Sequence, residues 1–178
     1  MRGSNENPVL ILTGAPGSGK TTVAQLLAAK SQRAVHLEAD QFFHFIQAGY
    51  IEPWKPESHE QNTTVMRIVA EAAASYAQAG YFTIIGPGWF LEPLRDSLRA
   101  SGHAVACAVL RAPLSVCLSR AGNRPSDRLS DAAVVERLWH DFANLGPLET
   151  HVLDTGTQTA DATAGVLIKR LQTGLLVT

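Results

Sequence analysis

One eight-residue stretch, GAPGSGKT at residues 14–21, restricts the fold more than any other part of the sequence. It fits the pattern G-x-x-x-x-G-K-[ST] and lies between a short apolar run, VLILT (9–13), and a helical pattern, KTTVAQLLAAK (20–30). Its glycines allow a tight turn whose backbone N–H groups point at phosphate oxygens, aided by the start of the helix. The predicted phosphate-binding residues are Gly14, Ala15, Pro16, Gly17, Ser18, Gly19, Lys20, Thr21 and Thr22.

Two side chains at the end of this motif suit a magnesium nucleotide. Lys20 supplies a cation for the β- and γ-phosphates, and the Thr21 hydroxyl is an oxygen ligand of the kind that Mg²⁺ prefers. A glycine-rich turn without a ligand is the alternative, but the motif and its strand–loop–helix context agree. We therefore expect ATP and Mg²⁺ to bind here, with Lys20 in a catalytic role.

The rest of the chain alternates between short apolar runs and longer helical patterns. The predicted strands are 9–13, 34–39, 81–85, 104–110 and 151–154, and the predicted helices are 20–30, 58–80, 90–100, 113–121, 131–143 and 160–173. This alternation predicts a parallel five-stranded sheet with helices on both faces, the α/β three-layer sandwich of P-loop NTPases. A length of 178 residues favours a single domain, 1–178.

The long helix at 58–80 allows more detailed predictions. Its buried face is expected to contain Val65, Ile68, Val69, Ala72 and Tyr76, and Gly80 is expected to end it. At its start, Ser58 and Gln61 have the spacing of a capping box, which predicts reciprocal hydrogen bonds with the backbone.

Charge and apolar content exclude some classes of partner. The formal net charge of −1 argues against a broad electrostatic surface for nucleic acid or anionic membrane. The N-terminal segment MRGSNENP is polar, and no apolar stretch is long enough to cross a bilayer. Cys107 and Cys117 are expected to be buried thiols in a reducing compartment. We expect a cytoplasmic protein that binds neither nucleic acid nor membrane, and the sequence leaves its oligomeric state open.

Two carboxylates, Glu38 and Asp40, follow the second predicted strand and precede three phenylalanines. Residues i and i+2 of a strand point the same way, so both side chains are expected to project together from the strand end. Ligands of open parallel sheets bind beyond the carboxyl ends of the strands, where the glycine-rich loop also lies. One carboxylate is a candidate ligand of Mg²⁺, and the other a candidate acceptor for the proton of an attacking hydroxyl. As an alternative, Asp40 caps the helix that follows.

The motifs that are present and those that are missing indicate which class of nucleotide-binding protein this is. The N-K-x-D guanine motif of GTPases and the second helical signature of transport ATPases are missing. The glycine-rich loop, the E-x-D of residues 38–40 and LRAPLSVCLSRAGNRP (110–125) resemble the small P-loop kinases of metabolites. Shikimate kinases, gluconate kinases and chloramphenicol phosphotransferase belong to this group, and the shared element order extends over nearly the whole chain.

The resemblance implies roles for individual residues. In these families the acid at the position of Asp40 contacts the acceptor hydroxyl. A hinged lid, here about 120–129, carries arginines that close on ATP. By this resemblance Arg120 and Arg124 are lid arginines with a catalytic role, and Arg128 is a weaker candidate near the substrate.

The chain departs from many P-loop proteins after its third predicted strand, which ends IIGPGWF. Gly86 stands where a carboxylate often lies, so the metal role passes to Glu38. Shikimate kinases also place glycines after this strand, where backbone N–H groups meet the substrate. Gly86 and Gly88 are therefore candidate substrate contacts, because glycine allows close approach.

The acceptor site is expected within about residues 40–62. Phe43 and Trp54 are candidate lining residues beside Asp40, although core packing is the alternative for the phenylalanines. His59 and Asn62 are candidates for hydrogen bonds to a polyol.

Three functions remain open at this point. The first is an ATP-dependent kinase that phosphorylates a hydroxyl of a small molecule such as a sugar acid, polyol or antibiotic. The second is a kinase whose acceptor is a nucleic-acid end or a nucleotide. The third is an ATP-binding module without transfer chemistry, which needs neither the E-x-D pair nor the lid arginines.

Overall fold

The computed structural model describes residues 8–87, 91–123 and 131–177. Five strands form one parallel sheet in the order β2-β3-β1-β4-β5. Their bounds are β1 (Val9–Thr13), β2 (Ala34–Glu38), β3 (Phe82–Gly86), β4 (Val105–Arg111) and β5 (Val152–Asp154). The predicted parallel five-stranded sheet is confirmed.

Seven helices of the described ranges surround this sheet: α1 (Lys20–Ala29), α2 (Ala39–Phe43), α3 (His59–Gln78), α4 (Leu91–Ala100), α5 (Leu114–Gly122), α6 (Ala132–Asp141) and α7 (Ala160–Gln172). Two 3₁₀ turns, Pro56–Ser58 and Gly146–His151, precede α3 and β5. Each helix predicted from the sequence is present, with ends that differ by one or two residues at most.

Alternating side chains of β1 divide the core between the two faces of the sheet. Val9 and Ile11 pack with residues of α3 and α4, whereas Leu10 and Leu12 pack with residues of α1 and α7. A third cluster joins β4, through Cys107, to α5 and α6. Because both faces of β1 are covered, all five of its residues are buried, as its uninterrupted apolar sequence indicates.

The buried face of α3 differs from the predicted one. Its buried residues are Asn62, Val65, Met66, Val69, Ala70 and Ala73. Ile68 and Tyr76, predicted to be buried, are 42% and 41% exposed. The helix packs against α4, and the small side chains of its alanines allow the two axes to approach closely. Gly80, with φ of 81°, ends the helix as predicted.

The predicted capping box at the start of α3 is absent. Ser58 is the N-cap residue, but its hydroxyl does not cap the helix: it lies within hydrogen-bond distance of two carbonyl acceptors, those of Pro53 (2.9 Å) and Lys55 (2.7 Å). The Gln61 amide exchanges two hydrogen bonds with the backbone of Ile51, at 2.9 and 2.6 Å. Asn62 Nδ2 donates to the Pro53 carbonyl at 2.8 Å and to Ser58 Oγ at 2.7 Å. These side chains therefore hold the segment before α3, and the suggested polyol contact of Asn62 does not fit its burial.

Candidate nucleotide and acceptor site

The glycine-rich loop between β1 and α1 depends on glycine for two different reasons. Gly14, Gly17 and Gly19 have φ values of 141°, 84° and 100°, which side chains rarely adopt. A Cβ atom at Gly14 would also collide with the carbonyl oxygen of Leu110 in β4, and one at Gly17 with that of Cys117 in α5. At Gly19 the added atom would meet open space. The loop is thus packed directly on the backbones of β4 and α5.

Lys20, the first residue of α1, lies over this loop. Its Nζ donates to the carbonyls of Gly14 at 2.7 Å and Ala15 at 3.1 Å. The ammonium group is therefore next to the turn at which the motif places phosphate groups. Thr21 follows and is half-buried, while Thr22 is exposed.

An unsatisfied hydroxyl in the loop tests whether a phosphate fits here. Ser18 is fully buried, and its Oγ has no hydrogen-bond partner in the described part of the chain. A buried hydroxyl without a partner is destabilising, typically by about 1–3 kcal/mol. A phosphate oxygen is an acceptor that would satisfy it. The positive-φ turn, the adjacent Lys20 ammonium and this hydroxyl together fit the phosphates of a nucleotide.

The described residues also indicate how Mg²⁺ would be held. Within the described ranges, no group of three or more His, Cys, Asp or Glu side chains could hold a metal ion. Mg²⁺ would therefore take most of its oxygen ligands from phosphates and water, as it commonly does in nucleotide sites. Thr21 and Glu38 are the protein ligands that we propose.

A pocket of about 220 Å³ lies beside the loop, between α1, α5 and the β5–α7 connection. Its lining residues are Ser18, Gly19, Thr22, Val23, Arg120, Thr155, Gln158, Ala160 and Thr163. Arg120 donates to the carbonyls of Gly17 (3.5 Å) and Thr155 (3.3 Å), and Thr155 Oγ1 donates to the Ser18 carbonyl at 2.8 Å. The pocket is therefore built onto the flank of the phosphate loop.

This geometry changes the expectation for Arg120. As a lid arginine it was expected to close on ATP from a mobile segment, but in the structure its guanidinium is held against the side of the loop. That position suits the base or ribose of a nucleotide better than the transferred phosphoryl group. Arg124 and Arg128, the other lid candidates, lie outside the described residues.

Sequence reasoning missed the contribution of the β5–α7 connection, TGTQT (155–159). Gly156 in this connection approaches α5 so closely that an added Cβ would lie 2.5 Å from Cδ of Pro113. The segment directly follows the last predicted strand, at the edge of the sheet where ligands bind. That position was the signal that could have identified it.

The ends of three neighbouring strands form the other half of the site. Glu38, the last residue of β2, pairs with Gly86 of β3, and Thr13 Oγ1 at the end of β1 donates to the Pro87 carbonyl at 3.2 Å. With strands about 4.8 Å apart, Glu38 lies roughly 10 Å from the end of β1 across the sheet. A Cβ atom added at Gly86 would lie 3.3 Å from Nε2 of His36, so the imidazole of His36 already covers this position. Gly88 lies outside the described residues.

Asp40 is not placed by the strand alternation that the sequence indicated. The strand ends at Glu38 and α2 begins at Ala39, so Asp40 is an exposed residue in the first turn of a short helix. It is not the helix cap either, because Glu38 occupies that position without a capping side-chain bond. The charge of Asp40 nevertheless reaches Tyr50: partial burial, then Glu52, then Asp40 raise the pKa of that phenol. Asp40 therefore lies close to the segment that leads into α3.

The predicted lining residues Phe43 and Trp54 have different positions. Phe43 is 5% exposed and packs in the core cluster that contains Met66 and Val69, so its assignment to the acceptor site was wrong. The core-packing alternative for this residue is correct. Trp54 is half-buried in the segment that Ser58 and Asn62 hold, and it stays a candidate.

Comparisons with known proteins agree with this architecture. Residues 9–145 match the sequence family described as an AAA domain (AAA_33). A comparison with curated protein sequences found no match. An unliganded sugar kinase from Janibacter sp. HTCC2649 is 26% identical, with a TM-score of 0.72 over 93% of this chain and 95% of that one. Shikimate kinase from Acinetobacter baumannii, solved with shikimate, is 20% identical, with a TM-score of 0.59 over 94% of each chain.

A protein of another kind shares the fold in part. A chain of the Pnkp1/Rnl/Hen1 RNA repair complex is 21% identical, with a TM-score of 0.59 over 78% of this chain and 45% of that one. In the described ranges, no helix has the length and apolar character needed to span a membrane.

Because the family match covers more than half of the chain, the protein belongs to this family of P-loop domains, and its fold is that of the small P-loop kinases.

Proposed function

We propose that this protein is an ATP-dependent kinase that transfers the γ-phosphate of Mg·ATP to a hydroxyl group of a small molecule. The observation that carries the proposal is the arrangement at the carboxyl edge of the sheet. A phosphate loop with Lys20 folded over it lies two strands away from Glu38, and Asp40 follows at the start of α2.

The loop and the neighbouring pocket would bind the nucleotide. Backbone N–H groups of the loop, the Lys20 ammonium and the Ser18 hydroxyl bind phosphate oxygens. The base and ribose occupy the pocket lined by Arg120, Thr155 and Gln158. When bound, Mg²⁺ would neutralise charge on the β- and γ-phosphate oxygens, with Thr21 and Glu38 as its protein ligands.

The acceptor side would supply the nucleophile and take up its proton. The hydroxyl oxygen forms a bond to the γ-phosphorus, the bond from that phosphorus to the bridging oxygen breaks, and ADP leaves. The hydroxyl proton passes to the carboxylate of Asp40. Because the transition state of phosphoryl transfer is loose, most of the rate enhancement comes from positioning and charge stabilisation. We assign part of that stabilisation to Arg124.

Phosphorylation of a nucleic-acid end is the second candidate, and the similarity to a chain of an RNA repair complex favours it. The net charge of −1 argues against it, because binding to a phosphate backbone depends mainly on Lys and Arg. An ATP-binding module without transfer would not require the carboxylates at the acceptor edge.

The test is an acceptor panel with γ-labelled ATP. The panel contains neutral polyols, sugar acids, hydroxylated antibiotics and oligonucleotides with free 5′-hydroxyls, with hydrolysis in the absence of acceptor as the background. We expect transfer to a small molecule by the wild type and none by Lys20→Ala, which should also weaken Mg·ATP binding in calorimetry. Transfer to the oligonucleotides alone would favour the second candidate. If Mg·ATP binds but no acceptor is phosphorylated, the result would favour the ATP-binding module without transfer chemistry.

A further inference from the structure

An apolar groove lies next to the acceptor edge and has no part in the chemistry described above. It is enclosed by α2, the segment after it and the first turns of α3, and its volume is about 490 Å³. Pockets for small molecules typically have volumes of about 300–1,000 Å³. The apolar side chains that line the groove are Phe42, Phe45, Ile46, Ile51, Val65 and Ile68.

Two of these apolar side chains are exposed to solvent. Phe45 is 72% exposed and Ile68 is 42% exposed. Phe42 and Phe45 are in edge-to-face contact, with ring centroids 5.8 Å apart. Single exposed apolar residues are common, but a concave cluster of them is typical of a binding surface. The position of Ile68 also explains why it was wrongly predicted to be in the core: it is an apolar residue that faces the groove.

Two connections join the groove to the proposed reaction centre. Phe42 lines the groove and also a second depression of about 380 Å³ that contains Glu38 and Gln41. On the other side, Ile51 lines the groove, and its neighbour in the chain, Tyr50, lies near Asp40. The negative charge of Asp40 is one of the causes that raise the pKa of the Tyr50 phenol. A molecule that lies beside Glu38 in the second depression can therefore extend along Phe42 into the groove.

The charges along this path restrict what the molecule can be. Glu57 and Glu60 lie at the polar side of the groove, together with Gln61 and Thr64. Among the described residues that line the two depressions, none is Lys or Arg. An anionic arm would be repelled by Glu57 and Glu60, and the described lining contains no Lys or Arg that would offset this repulsion. A neutral or cationic arm meets neither obstacle.

We propose that the groove binds the apolar arm of the phosphate acceptor. The acceptor class is then an amphipathic hydroxyl compound, with its reactive hydroxyl on a polar head and with an uncharged or cationic apolar arm. The phosphorylation of that hydroxyl rests on the proposed function, whereas binding of the arm does not. Each methylene group that enters the groove should increase affinity about fourfold until the groove is filled.

The test uses n-alkyl β-glucosides, from methyl to octyl, below their micelle-forming concentrations. The protein is labelled at the δ1-methyl groups of isoleucine and titrated while methyl NMR spectra are recorded. Ile46, Ile51 and Ile68 report on the groove, and Ile11, Ile84 and Ile85 in the sheet serve as internal controls. We expect octyl glucoside to shift the groove methyls, with an affinity that rises from methyl to octyl.

A pair of variants makes the test specific. Ile68→Ser should weaken octyl glucoside binding several-fold and leave methyl glucoside and Mg·ATP binding unchanged. Leu175→Ser, at another exposed apolar residue (67% exposed) that does not line the groove, should behave like the wild type. Affinity that is independent of chain length would overturn the proposal. So would groove shifts that depend on protein concentration without any glucoside, because they would show self-association. If the groove methyls respond and no hydroxyl is ever phosphorylated, the proposed function fails and the binding surface stands.

Discussion

At the scale of single residues, Asp40 and Glu38 have different proposed roles: Asp40 accepts the proton of the acceptor hydroxyl, and Glu38 is a ligand of Mg²⁺. Asp40→Asn keeps the size of the side chain and removes its basicity, so phosphoryl transfer should fall by at least ~10²-fold while Mg·ATP affinity is retained. Glu38→Gln should instead raise the Mg²⁺ concentration needed for the half-maximal rate. Asp96→Asn, the same change at an exposed aspartate of α4, is the matched control and should have no effect on either. A wild-type transfer rate in Asp40→Asn would show that the carboxylate is not the proton acceptor.

At the scale of elements, the contact between the phosphate loop and α5 predicts a difference between two glycines. Gly19→Ala meets open space, so its cost is the left-handed strain alone, about 1–3 kcal/mol. Gly17→Ala adds a collision with the Cys117 carbonyl, which neither backbone can avoid without moving the loop away from α5. Denaturant unfolding should therefore show a larger loss of stability for Gly17→Ala than for Gly19→Ala. Equal losses would mean that the loop and α5 separate easily.

At the scale of the whole molecule, an ion pair joins segments that are distant in sequence and predicts how stability depends on pH. Arg111 at the end of β4 donates to both carboxylate oxygens of Glu149, at 2.9 and 2.7 Å, and to the Phe142 carbonyl at 2.9 Å. The hydrogen bonds from Arg111, and then from the Leu145 N–H, lower the pKa of Glu149 from 4.5 to about 2. Since the folded pKa is the lower one, this stabilisation is complete above pH 4.5 and is lost as the pH falls towards 2.

The corresponding measurement is urea unfolding at a series of pH values. Glu149→Gln should lower the stability at neutral pH and reduce the slope of stability against pH between 4.5 and 2. Arg111→Lys, which keeps the charge but cannot form the two parallel hydrogen bonds, should reduce that slope as well. The pair is partly exposed, so we expect modest changes. An unchanged slope in Glu149→Gln would contradict the assignment.

Local sequence patterns were sufficient to predict the phosphate loop and the sheet. The motif at Gly14–Thr21 and the apolar runs such as β1 can each be recognised without knowing their neighbours in space. The details that failed depend on neighbours distant in sequence. Which face of α3 is buried depends on its packing against α4. That packing buries alanines of α3 and leaves Ile68 at the surface. The position of Arg120 depends on Thr155, 35 residues away, and no spacing rule links them. The end of β2 was placed one residue too late, so Asp40, which was expected to project with Glu38 from the strand end, lies instead in the first turn of α2.

The packing of Gly17 on Cys117 has a consequence for the kinetics of thiol labelling. Both cysteines are fully buried, and burial raises the pKa of Cys107 to about 12, so alkylating reagents should react only after local or global opening. Cys117 can be reached when α5 separates from the phosphate loop, whereas Cys107, on β4 in the same cluster, requires both α5 and α6 to separate from the sheet. Mg·ATP, by holding the loop in place, should slow the alkylation of Cys117 at least as strongly as that of Cys107 when each is followed by mass spectrometry. The ratio of the two rates would then distinguish a local release of α5 from unfolding of the whole chain.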